Sequence, residues 1–171
     1  MPNQHIVVVG LMGAGKTSIG KRVAKRLGLE FVDSDDELER RTGHTARELL
    51  AVHGTSGLHA QEADVVRDAL RAEEPTVIGA PASIVLDPAM RDELRRQYVV
   101  WLRADPHWLV EKMATSSNEQ RPYVDRDPSV LVRQHEARKD LYQQVASYVA
   151  ESTRRDKDEV ADEIVAAISA R

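Results

Sequence analysis

The chain has 171 residues, 42% of them hydrophobic and 30% charged, with a net charge of −4. That suits one compact domain over residues 1–171 with a substantial core, and it is too apolar for a disordered chain. The acidic balance argues against a nucleic-acid binder, which needs a basic face; the lack of cysteine excludes disulfides and thiolate metal sites. No apolar run is long enough to span a membrane and the N-terminus lacks a signal-peptide pattern, so a cytoplasmic protein, taken as a monomer, is expected.

The first element is the apolar run Ile6-Val7-Val8-Val9, a short strand. It leads into Gly10-Leu11-Met12-Gly13-Ala14-Gly15-Lys16-Thr17, and then into a helix-periodic segment with Ile19, Val23 and Leu27 on one face. Strand, glycine-rich loop and helix in that order are what a phosphate-binding P-loop requires. The glycines let the backbone curl so that several N–H groups point at one anion. The helix starting near Lys16 adds the positive end of its dipole. Lys16 is expected to reach the outer phosphates of a nucleotide, and Thr17 to give its hydroxyl to Mg²⁺.

Gly28 stops this helix, and Leu29-Glu30-Phe31-Val32 reads as a second strand ending at Asp33. Asp33-Ser34-Asp35-Asp36 follows at the strand's carboxyl end, the edge where open parallel sheets bind ligands and where the P-loop lies. If the chain stays extended, Asp33 and Asp35 share one side. One carboxylate would then hold Mg²⁺ through water, and the other would accept the proton of an attacking hydroxyl. The alternative is that these acids solvate a turn and start the next helix, as expected of Asp36.

A helix over Asp36–Arg41 breaks at Gly43. Thr45 and Glu48 form a capping box for a short helix ending before Gly54. A longer helix carries Leu58, Glu62, Val65, Val66, Ala69 and Leu70. Thr76–Gly79 reads as the third strand, Tyr98–Leu102 as the fourth and Val145–Val149 as the fifth, and Val160, Ile164, Val165 and Ile168 line a final helix. Such alternation predicts an α/β fold, a parallel sheet flanked by helices. The polar stretch Thr115–Gln120 is the best candidate for a mobile loop. Trp101, His107 and Trp108 are expected to pack the fourth strand and the helix after it, and His44 and His53 to sit at the surface or at a cap. His59 shares a helix face with Glu62, which leaves an acceptor-binding role and a structural pair both open.

The stretch from Gly10 to Gly20, Asp33-Ser34-Asp35, Arg41-Thr42-Gly43, Glu62, Arg121-Pro122, Arg138 ahead of Leu141-Tyr142, and Arg154-Arg155 together resemble the shikimate kinase family over essentially the whole chain. The resemblance implies a three-layer P-loop kinase fold with a five-stranded parallel sheet. It also implies ATP- and Mg²⁺-dependent transfer of the γ-phosphoryl group to a hydroxyl of a small molecule, shikimate or a related polyol or sugar acid. By the same resemblance Gly13, Ala14, Gly15, Lys16, Thr17 and Ser18 hold the phosphates. Lys112 packs on adenine, and the Thr153–Arg155 segment, with Arg154, closes the adenine pocket. Thr17 and Asp33 serve the metal. Asp35 grips substrate hydroxyls and acts as base or orienter. A lid at about residues 113–126 carries Arg121 to the transferring phosphoryl group, and Arg138 binds the substrate carboxylate.

Two departures from the family pattern bear on the acceptor. Its Phe-Arg-x-x-Glu stands here as Leu58-His59-Ala60-Gln61-Glu62, and its triple glycine after the third strand as Gly79-Ala80-Pro81. An imidazole replaces a bidentate guanidinium, and Pro81 has no N–H to donate. Losing half of a carboxylate clamp costs roughly 2–5 kcal/mol. His59 and Gly79 are therefore the acceptor-site residues in which this chain is expected to differ. A non-catalytic or regulatory nucleotide-binding protein on the same fold is the alternative reading.

Overall fold

The computed structural model describes residues 3–115 and 129–171. Strand β1 (Ile6–Val9) is a run of β-branched residues with no exposed surface, as a strand covered on both faces requires. Helix α1 (Lys16–Leu27) follows the glycine-rich loop. It buries Ile19, Gly20, Val23 and Ala24 and ends at Gly28, whose φ of 67° only glycine adopts without strain. Gly20 allows a close approach: a Cβ there would lie 2.6 Å from the Phe31 ring. Phe31 belongs to β2 (Glu30–Asp33).

Helix α2 (Ser34–Thr42) begins directly after Asp33, which caps it, and Gly43 ends it. Helix α3 (Ala46–Ala69) starts at the Thr45/Glu48 capping box and is broken at Gly54, which takes φ 70° and ψ −179°. The break is the expected boundary between a short and a longer helix. Then come β3 (Thr76–Gly79), a 3₁₀ turn (Ile84–Leu86) and α4 (Pro88–Leu94), the last two without a counterpart in the sequence prediction. Strand β4 (Tyr98–Arg103), α5 (Pro106–Ala114), α6 (Ser129–Val145), β5 (Tyr148–Glu151) and α7 (Lys157–Ser169) complete the described chain.

The five strands form one parallel sheet in the order β2-β3-β1-β4-β5. The chain leaves β1 toward one neighbour and returns on the other side, so the C-terminal end of β1 is a topological switch point, where ligands bind in such sheets. Helices α1 and α7 pack side by side, and α6 covers β4 with α5 beside it. Trp101 of β4 stacks on Tyr142 of α6 with ring centroids 5.6 Å apart, the packing role expected of it. His44 sits at the start of α3, its ring nitrogen 2.9 Å from Glu48. A separate apolar cluster of Leu38, Leu49, Leu58 and Val65 ties α2 to α3.

Two expectations are corrected. The fifth strand was expected at Val145–Val149, but Val145 ends α6 and is buried on its inner face with Leu131, Arg138 and Tyr142. The strand begins at Tyr148. As an edge strand it is only partly covered, and no glycine or proline separates it from the helix before it. Secondly, the chain does not stay extended through Asp35: α2 starts at Ser34. Among the described residues, no helix is long and apolar enough to cross a membrane.

Candidate active site

The loop between β1 and α1 takes its shape from three glycines with positive φ: Gly10 at 149°, Gly13 at 83° and Gly15 at 103°. Gly15 is the N-cap of α1. It supplies no side-chain cap, and the first turn has no acidic residue, so the helix presents its N–H groups and its positive dipole end unneutralised. Above this cradle opens a cavity of about 620 Å³, lined among others by Gly13, Gly15, Lys16, Thr17, Ser18 and Asp33. Ala14 is buried beneath the loop. The Lys16 ammonium donates to the Gly10 and Leu11 carbonyls at 2.7 and 3.1 Å, which holds it over the loop.

Asp33 joins the two halves of the phosphate end. One carboxylate oxygen accepts from the Asp35 and Asp36 N–H groups at 2.9 and 3.2 Å and so caps α2. The other accepts the Thr17 hydroxyl. The Thr17 proton is thus directed at Asp33, leaving the oxygen lone pairs for a cation. This suits Mg²⁺, which takes one or two protein oxygens and fills its remaining positions with water and phosphate.

The same cavity receives Lys112 from α5. Its ammonium donates to the Gly13 carbonyl at 2.9 Å and lies 5.1 Å from the Trp108 ring centroid. Lys157, at the first turn of α7, also lines it and donates to Ser18 Oγ at 3.2 Å. No periodic or motif signal in the sequence marks Lys157. Arg154 does not line the cavity. It has φ 52° and lies 3.3 Å from Glu111 on the exposed surface. Arg121 and most of the expected lid lie outside the described residues. Of that lid, Met113 and Ala114 end α5 and Thr115 caps it.

A narrow annexe of about 50 Å³ continues from the main cavity, and Met12, Lys16, Asp35 and Ala46 line both. Its far walls come from α3, the segment after β3, and α6. They bring together His59, Glu62, Ser83 and Arg138, residues up to 79 positions apart in sequence, from 59 to 138. Arg138 is buried, and beside it the Tyr142 hydroxyl donates to the Ala82 carbonyl at 2.6 Å. Tyr142 itself is pushed up to about 12 by burial. Burial, and then the charge of Arg138, lower His59 and favour its neutral form. Glu62 is pushed up to about 7, first by burial and then by Asp35, while the Ser83 hydroxyl, 3.1 Å away, Lys16 and Arg138 pull the other way.

The first two residues after β3 offer no N–H to an anion. The Ala80 N–H donates to Val8 at 3.0 Å and Pro81 has none. Gly79 does not line the annexe. It faces Phe31, whose ring would lie 3.2 Å from a Cβ there.

A model of the family described as shikimate kinase matches residues 12–169. The shikimate kinase of Burkholderia thailandensis is 38% identical over 158 residues, covering 90% of this chain and 83% of its own. That of Symbiobacterium thermophilum is 36% identical over 170 residues, covering 98% and 97%. A structure of shikimate kinase from Acinetobacter baumannii in complex with shikimate superposes with a TM-score of 0.90 at 29% identity, covering 98% of this chain and 93% of its own. With the P-loop, the strand order and these matches on one chain, the protein belongs to the shikimate kinase family.

Proposed function

We propose that this chain transfers the γ-phosphoryl group of ATP to a hydroxyl of shikimate, as a cytoplasmic monomer. The observation that carries this reading is the seam between the two cavities: Lys16 and Asp35 line both the phosphate cradle and the acceptor annexe. A nucleotide seated on the P-loop therefore presents its outer phosphate where an acceptor hydroxyl meets Asp35. Its ring would span the seam, with the carboxylate toward Arg138.

Phosphoryl transfer asks a protein for positioning and for cations on the transferring oxygens. Lys16 and the α1 N-terminus supply both at the nucleotide. Asp35 orients the hydroxyl and takes its proton, and Arg121 comes to the phosphoryl group from the lid. Thr17 and Asp33 would hold Mg²⁺, which when bound neutralises charge on the phosphate oxygens. The reading as a non-catalytic nucleotide-binding protein is not favoured, because binding alone does not require Asp35 beside Lys16.

The test is ADP release with MgATP, with and without shikimate. Shikimate-dependent release is expected. Release that ignores shikimate, in protein shown separately to bind MgATP, would refute the reading. Gluconate and cyclic polyols in the same assay would show whether the neutral His59 has moved the preference to another acceptor.

A further inference from the structure

Helix α6 brings two side chains to the annexe, one helical turn apart: Arg138 and Gln134. The carbonyl oxygen Oε1 of Gln134 is buried and accepts no hydrogen bond, and no other buried side-chain oxygen or nitrogen among the described residues lacks a partner. Buried polar groups are otherwise almost always satisfied, and an exception at a cavity wall is a place that a water or a ligand group completes.

Several donors of the annexe wall are committed elsewhere. The Ser83 hydroxyl donates to Glu62, the Tyr142 hydroxyl to the Ala82 carbonyl, and the Ala80 N–H to Val8, while Pro81 has no N–H. These groups do not complete Oε1, which stays open to a donor on what enters the annexe. That donor is not a carboxylate, which a carbonyl oxygen repels and which Arg138 attracts. It is a group that can donate, and on a small polyol that group is a hydroxyl.

We infer that Gln134 reads one hydroxyl of the acceptor, accepting its hydrogen bond at Oε1, and so helps set which polyhydroxylated molecule the annexe takes. The inference rests on the kinase reading above and adds to it a specificity-determining residue. Gln134 does not line the nucleotide cavity, so it acts on acceptor binding and not on the transfer step.

The test is Gln134→Met, close in volume and without hydrogen-bonding groups. The KM for shikimate should rise about 3- to 10-fold, with kcat and the KM for ATP within about 2-fold of the parent. Among shikimate analogues each lacking one ring hydroxyl, the parent should discriminate against one that the variant accepts as readily as shikimate. With no acceptor present, the variant should melt about 2–4 °C higher, because it no longer buries an unsatisfied oxygen. A purely structural glutamine would lower the melting temperature and leave the analogue pattern unchanged. An unmoved KM with the parent's discrimination intact overturns the inference. If the parent turns nothing over, the kinase reading fails by itself, and calorimetric binding of shikimate to parent and variant decides this point separately: weaker binding by the variant supports it and equal binding overturns it.

Discussion

Glu62 gives the annexe a measurable electrostatic signature. Its residue is 8% exposed, and burial with Asp35 pushes its carboxyl from 4.5 to about 7. Between those two pH values the folded chain keeps a proton here that the unfolded chain has released. The stabilisation is therefore full below pH 4.5 and is lost as the pH rises through 7. A gap of about 2.5 pH units, at about 1.4 kcal/mol each, corresponds to roughly 3 kcal/mol, of which about 2.5 kcal/mol falls between pH 5 and 8. Glu62→Gln keeps the shape and a partner for Ser83 but removes the titration. Urea unfolding of parent and variant at pH 5, 6, 7 and 8 should show the parent losing about 2.5 kcal/mol relative to the variant across that range.

Two other groups do not confuse the comparison. His59 is lowered, so its contribution is full above 6.5 and is lost as pH falls; it slopes the other way, but it is present in both proteins. Glu37 is held at about 2 by Arg40 and Arg41, so its contribution is lost only as pH falls below 4.5, outside the measured range. Parallel stability curves for parent and variant from pH 5 to 8 would show that Glu62 does not hold a proton near neutrality and would refute the electrostatic account of the annexe.

Replacing Lys16 by Ala should reduce shikimate-dependent turnover by about 10²-fold or more while the fold survives, as judged by circular dichroism; activity within about 10-fold of the parent would remove Lys16 from the mechanism. Asp33→Asn should retain the cap on α2 yet raise the Mg²⁺ concentration for half-maximal rate, whereas Asp33→Ala should also lose about 1 kcal/mol of stability in urea. Equal Mg²⁺ demand in parent and Asn variant would count against Asp33 as a metal partner. Gly10→Ala should cost roughly 2 kcal/mol or more: φ is 149° and the new Cβ would stand 2.7 Å from the Leu102 carbonyl oxygen of β4, a backbone atom that cannot move aside. A melting temperature within about 2 °C of the parent would mean that the loop relaxes more easily than this packing allows.

The phosphate end was legible in the sequence because its chemistry is local. Residues 10–17 form a contiguous backbone cradle, and glycine is almost the only residue that tolerates its dihedral angles. The same holds for the helix ends at Gly28 and Gly43 and for the Thr45–Glu48 box. Asp33 stood out in the sequence as a carboxylate beside the P-loop but its geometry did not: an extended strand and an N-cap read alike in Asp-Ser-Asp-Asp, and the N-cap won because it satisfies two helix N–H groups at once. The fifth strand was misplaced because the apolar end of α6 runs without a break signal into a half-covered edge strand.

The acceptor end could not be read in the same way, because nothing local encodes it. His59, Ser83 and Arg138 meet only through the sheet order, and Gln134 is a polar residue in a helix whose buried face is marked by Leu131, Tyr142 and Val145. The consequence is chemical as well as topological. Lys16 and Arg138 are the cations among the described residues that line the annexe, and Lys16 is held over the P-loop. With the neutral form of His59 favoured and the Ala80 N–H bound to Val8, Arg138 is the cation left to face an anionic group in the annexe. On the proposed reading, discrimination among acceptors then rests largely on hydroxyl contacts. A site built to hydrogen-bond a particular hydroxyl rejects analogues lacking it more strongly than an apolar wall could, because the buried partner is left unpaired. An orphaned carbonyl oxygen one turn from Arg138 is the feature such a site requires.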